Sequence, residues 1–138
     1  MIVKILKVSR GTPSGSKIMD FWVDGQLKNG EIIEIFDLDP FDLRGYEGKY
    51  LDCLILANVG VFDKDDIIFL IRGKYIKSYE LPLKWKGVHD PIDNWSAVKT
   101  ENGIFLLDPG IIDFKDKDGQ IIEFDGIRLD LIAFLPLD

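Results

Sequence analysis

The segment Trp85-Lys86-Gly87-Val88-His89-Asp90-Pro91-Ile92-Asp93-Asn94-Trp95 gathers the chain's only histidine, two carboxylates and two of its three tryptophans. Imidazole beside carboxylates is material for metal ligation. A catalytic zinc site, however, takes three protein ligands, and the chain has no second histidine. A metal is therefore not expected here, and no other cofactor is implied. A loop rich in tryptophan suits partner contact instead, because loops carry binding residues and indoles anchor interfaces. Trp85, His89, Asp90, Asp93 and Trp95 are the expected binding residues. The competing expectation is that the two indoles simply cover the edge of the core.

Other constellations offer less. Phe114-Lys115-Asp116-Lys117-Asp118-Gly119 has the glycine of a calcium loop, but Phe114 stands where the first carboxylate belongs and Asp125 where a bidentate glutamate belongs. A hairpin turn accounts for Asp118-Gly119. Gly45-Tyr46-Glu47-Gly48-Lys49 is too short between its glycines for a phosphate loop, and Tyr50 replaces the required hydroxyl. Asp63, Asp65 and Asp66 read as a solvated turn. Cys53 sits in the apolar run Leu51–Ala57 and reads as a small core hydrophobe. No Gly-x-Ser-x-Gly element occurs, and one histidine with one cysteine supplies little for a nucleophile–base pair. No catalytic residue is expected. A carboxylate pair within a barrel pocket is the enzymatic alternative, because 24 acidic residues could converge in space.

These residues must be held by strands. Asp-Gly or Asn-Gly occurs at 24–25, 29–30, 102–103, 118–119 and 125–126. Such pairs suit two-residue hairpin loops with positive φ. Ile2–Val8, Ile18–Val23, Glu31–Phe36 and Lys49–Val59 are rich in β-branched and aromatic residues and predict strands. Asp66–Leu81 is expected to fold back at Arg72-Gly73. Val98–Glu101 with Ile104–Leu107 predicts a hairpin. Ile111–Lys117, Gln120–Phe124 and Ile127–Phe134 predict a three-stranded meander. The faces of these strands place Ile5, Cys53, Leu70, Ile121 and Leu129 in the expected core. Asp39–Gly45 fits one helical turn, with proline at its first position and glycine past its end, and Asp90-Pro91 begins in the same way. No segment keeps a 3.6-residue apolar period over ten residues. The shared tripeptides Gly48-Lys49-Tyr50 and Gly73-Lys74-Tyr75 read as two strand starts, not as a repeat.

The expected fold is therefore all-β, as an antiparallel barrel or two-sheet sandwich rich in tight hairpins with one or two single-turn helices. It forms a single β domain over residues 1–138, a length that buries enough surface without staples. Lys4 and Lys7 interrupt the apolar start, so no signal peptide is expected, and no window is apolar enough to span a membrane. With one cysteine, a cytoplasmic location is the default.

Net charge is −7. It is uneven: residues 1–28 and 72–86 are basic, whereas 31–66 and 101–138 are acidic. The acidic bias steers a basic protein. The leading expectation is thus a non-enzymatic module docking a protein partner, such as an inhibitor or immunity-type protein against a basic target. The second is an OB-like binder of single-stranded nucleic acid, with Phe21, Trp22, Phe36, Phe41, Tyr46 and Tyr50 interleaved with Lys17, Lys28 and Lys49. It requires the two basic segments to share a face. Open edge strands would also permit a dimer.

Overall fold

Alternation sets the faces from the first strand onward. In the computed structural model, which describes residues 1–11, 13–14, 17–18, 20–59, 69–85, 95–108 and 114–137, β1 (Ile2–Arg10) buries Val3 and Ile5 and turns Ile2 and Lys4 outward. A two-stranded ladder, β2 (Pro13–Ser14) and β3 (Lys17–Ile18), follows it. Then β4 (Phe21–Gln26) and β5 (Ile32–Asp37) form a hairpin, whose turn is closed by Leu27 N donating to Glu31 O at 2.8 Å. Gly30 lies there at φ 93°, but Asn29 is not in the left-handed region and the loop runs over 27–31, so the expected two-residue turn is replaced by a longer one. A 3₁₀ turn (Leu43–Tyr46) leads into β6 (Tyr50–Val59).

The rest of the sheet is β7 (Phe69–Tyr79), a 3₁₀ turn (Leu83–Trp85), β8 (Trp95–Thr100), β9 (Gly103–Leu107) and β10 (Ile121–Pro136). β1, β4, β5, β10 and β6 close into a five-stranded barrel, because β6 pairs back to β1. A second closed circuit of hydrogen-bonded neighbours runs β6, β9, β8, β7, β10. The two circuits share β6 and β10. Exchanging those two strands exchanges β1 with β7, β4 with β8 and β5 with β9, including the parallel pairings β5–β10 and β6–β9. The chain is thus two topologically equivalent halves, each completed by the other's last strand.

Four expectations are corrected. Asp24-Gly25 and Asp125-Gly126 are not turns but lie inside β4 and β10. Likewise β7 passes straight through Arg72-Gly73, and β10 is one strand where two were expected. At these positions glycine serves close approach: a Cβ at Gly25 would strike the Val3 side chain, and one at Gly73 the Lys99 carbonyl. Phe114–Lys117 forms a turn instead of strand, with Lys117 N donating to Phe114 O. Finally, Leu70 and Ile121 are exposed at 56% and 62%, while Ile71 and Ile122 are buried. A one-residue phase error flips every side chain to the other face.

The main core fills the interior with residues from every long strand, including Ile5, Ile35, Cys53, Ile55, Phe105 and Leu129. Leu43 plugs it from the first 3₁₀ turn. A second apolar cluster lies on the opposite face of β6, β8, β9 and β10, where Leu54, Leu106 and Ala133 pack under Trp85 and Trp95. Each of the eight main-sheet strands has a hydrogen-bonded neighbour on both sides. The β5–β10 and β6–β9 contacts span only two residue pairs each, so parts of β5 and β9 keep an open edge. Among the described residues, no helix is long and apolar enough to cross a membrane.

Candidate functional site

Of the expected binding residues, Trp85 and Trp95 are each only 4% exposed and belong to the second cluster. His89, Asp90 and Asp93 lie outside the described residues, as do Asp63, Asp65 and Asp66. What the structure does show of that region is how the indoles are held. Lys84 stacks its ammonium 5.4 Å over the Trp85 ring and donates to Asp52 Oδ2. Asp52 Oδ1 accepts from the N-terminal ammonium of Met1 at 3.0 Å. Burial alone would raise the Asp52 pKa, but these two cationic donors outweigh it and hold the carboxyl below its ordinary value.

The other constellations prove structural. Asp118 Oδ1 accepts from Lys77 N at 2.9 Å, so the turn after Phe114 is tied to β7. Gly48 N donates to Ile5 O, within a turn that enters β6. Cys53 is buried, and desolvation pushes its thiol up to about 12, leaving no thiolate for chemistry at neutral pH. Asp37 is fully buried at the end of β5, where its carboxylate accepts from the Phe41 and Asp42 backbone N–H groups at 2.9 Å each. Desolvation still raises its pKa, with help from the charges of Asp39 and Asp42. Among the described residues no group of three or more histidine, cysteine or acidic side chains could hold a metal.

The aromatic residues partition more usefully. Phe21 is buried, but Trp22 is turned to the outer face of β4 and lies against Phe36 of β5, with ring centroids 4.6 Å apart. The Arg128 guanidinium sits 5.0 Å over Phe36 and is fixed by Asp130 at 2.7 Å. Outward of this pair, Asp24 stands opposite Glu34 across the β4–β5 ladder. Ile32, beyond them, is 63% exposed. The face therefore offers a partly exposed indole framed by carboxylates.

Comparison of the halves explains this face. Trp22 pairs with Phe36, which adjoins Asp130 of β10, and Ala97 pairs with Leu106, which adjoins Leu56 of β6, so Trp22 and Ala97 are counterparts and Trp95 lies two residues further from its hairpin tip. The next pair toward the tip on that face is Asp24–Glu34 in the first half and Lys99–Ile104 in the second. In the second half this face is apolar and covered by Trp85, with Leu81 and Tyr79 beside it. In the first half it carries Asp24 and Glu34, with Lys7 across from Asp24 and Arg128 over Phe36.

Basic residues collect at the rim where the two hairpin tips meet. Asn29 N donates to Asn102 Oδ1 at 3.0 Å, and Asn29 Nδ2 donates to Glu101 and Glu31 at 2.8 and 2.7 Å. On one side lies a groove of about 420 Å³ lined by Lys4, Lys28 and Tyr50. On the other lies one of about 390 Å³ lined by Arg72, Lys74 and Lys99. No protein-family model matches the chain, and no curated protein or solved structure is significantly similar to it.

Proposed function

We propose that the chain is a non-enzymatic binding module that docks a basic protein segment on the outer face of β4 and β5. The observation that carries this reading is the contrast between the outer face of β4 and β5 and its counterpart on β8 and β9. The chain covers the second half's face with its own segment Leu81–Trp85, whereas the first half's face carries the partly exposed Trp22 beside Asp24 and Glu34. A partner's chain bearing lysine or arginine would complete it, with Trp22 as the buried anchor and the carboxylates as the polar frame. The chain's net charge of −7 would steer such a partner.

The barrel order also supports a binding role. Its strands run first, second, third, fifth, fourth around the ring, with a single helical turn between third and fourth, which is an OB-like arrangement. In such barrels the face of the second and third strands, here β4 and β5, takes the ligand. Carboxylates at Asp24 and Glu34 disfavour phosphate there and favour a basic protein surface.

Capture from native extract, followed by reconstitution with the purified captured protein, tests the proposal. The expected result is a basic protein whose Kd rises about tenfold or more with Trp22→Ala and again with Glu34→Lys. A reconstituted partner that binds both variants at wild-type affinity would overturn it.

A further inference from the structure

Two basic grooves flank the hairpin tips, on equivalent strands of the two halves. In the first half Lys4 stands between Gln26 on β4 and Tyr50 on β6. In the second half Lys74 stands between Lys99 on β8 and Ile121 on β10. A smaller hollow of about 110 Å³, lined by Glu31, Arg72 and Asn102 among others, shares Arg72, Thr100 and Glu101 with the second groove. Lys28 and Gly30 of the first groove flank Asn29, whose amide donates to Glu101 of the second, so the grooves adjoin where the hairpin tips meet.

Three features give this rim a ligand chemistry. Among the described residues, none of Lys4, Lys28, Arg72, Lys74 and Lys99 forms an ion pair, although the chain carries 24 acidic residues. The two carboxylates at the junction, Glu31 and Glu101, are engaged by the Asn29 amide. Tyr50 is 54% exposed in the first groove, with the Lys4 ammonium 5.8 Å from its ring centroid. An exposed aromatic ring beside cations, in a concave track, is the arrangement that stacks a base and holds the phosphates on either side.

We infer that the paired grooves form one bipartite site for a single-stranded nucleic acid. Tyr50 stacks a base in the first groove, Lys4 and Lys28 take its flanking phosphates, and the strand continues past the Asn29–Asn102 contact. In the second groove Arg72, Lys74 and Lys99 bind phosphates without stacking, because no aromatic ring is among its described lining residues. Trp22 lies four residues from Gln26 along β4, roughly 13 Å at the rise of a strand, so this site is separate from the docking face.

Fluorescence anisotropy of a labelled oligothymidylate at low and rising salt tests the inference on the full chain. Binding in the micromolar range is expected, with log K falling against log salt by about 0.7 per phosphate held. Arg72→Ala with Lys74→Ala should flatten that slope by about 1.4. Tyr50→Ala should weaken binding about tenfold and leave the slope unchanged. Trp22→Ala should change neither, so failure here and failure of the protein-docking reading are distinguishable. Absence of binding at low salt would overturn the inference. So would equal affinity for duplex, or displacement by tripolyphosphate together with no effect of Tyr50→Ala, since these mark a generic anion surface.

Discussion

The two halves share a plan and differ in what covers them. On the outer face of β8 and β9, Trp95, Ala97 and Leu106 are buried beneath Trp85. On the equivalent face of β4 and β5, Trp22 is partly exposed and its neighbours are Asp24 and Glu34. The same backbone thus supports an internal layer in one half and an outward-facing surface in the other. At the corresponding cross-strand pair the first half has Trp22–Phe36 and the second Ala97–Leu106, whose small Ala97 leaves room for a cover. Apolar residues demand such a cover, whereas Asp24 and Glu34 tolerate water.

The largest test of this contrast is truncation of the indole on each face. Trp95→Ala should cost about 3–5 kcal/mol in urea unfolding, as expected for a large buried aromatic. Trp22→Ala should cost about 1–2 kcal/mol because its ring is only partly removed from water. Equal losses would mean that the first half's face is as structural as the second's.

Glycine positions sharpen the comparison next. Gly73→Ala places a methyl against the Lys99 carbonyl, which is backbone and cannot yield without shifting β8. Gly25→Ala meets a Val3 methyl, which is a side chain. Both should destabilise by about 1–3 kcal/mol, with Gly73→Ala the worse of the two. The reverse order would imply that the β7–β8 pairing is the looser one.

The acid response separates Asp37 from Asp52. Asp52 is held below its ordinary pKa of 3.8, so its stabilisation is present above that value and lost as pH falls through the lower folded one. Asp37 is raised, so its ionised form is penalised in the folded state. The chain should then gain stability from Asp37 as pH falls through that raised value toward 3.8. Relative to Asp37→Asn, wild type should therefore improve on mild acidification. Relative to Asp52→Asn, wild type should lose its advantage only in stronger acid. Denaturant midpoints across pH read both, and parallel profiles would contradict the assignment.

The smallest expected effect is at the junction. Asn29→Ala removes three exposed side-chain hydrogen bonds, two donated to Glu31 and Glu101 and one accepted from Glu31 N, and should cost about 0.5 kcal/mol. It also releases both carboxylates beside the basic grooves, so it should weaken oligothymidylate binding if that site is present.

Much of this was legible in the residues. Gly30 and Gly119 lie in turns at φ 93° and 80°, and Gly103, at φ 129°, opens β9 directly after the Glu101-Asn102 turn. The β4–β5 and β8–β9 hairpins follow directly from them. The expected helical turn near Asp39–Gly45 exists at Leu43–Tyr46, displaced because Asp37 and Asp42, not Asp39, accept the backbone N–H groups. Burial of Trp85 and Trp95 matches the expectation that the indoles cover the core edge, and it moves the exposed aromatic chemistry to Trp22 and Tyr50.

By itself, then, the sequence determined an all-β chain, its hairpin turns and an acidic net charge, because alternation, turn dihedrals and ionisation are local properties of a few neighbouring residues. Only the tertiary structure decided that identical Asp-Gly and Asn-Gly dipeptides are turns in three places and strand interiors in two. There the outcome rests on whether Val3 or Ile71 fills the space a Cβ would take. It also decided that Trp22 and Ala97, not the two indoles, are counterparts. That relation depends on β6 and β10 closing two circuits between residues some seventy positions apart, a distance over which no local preference acts.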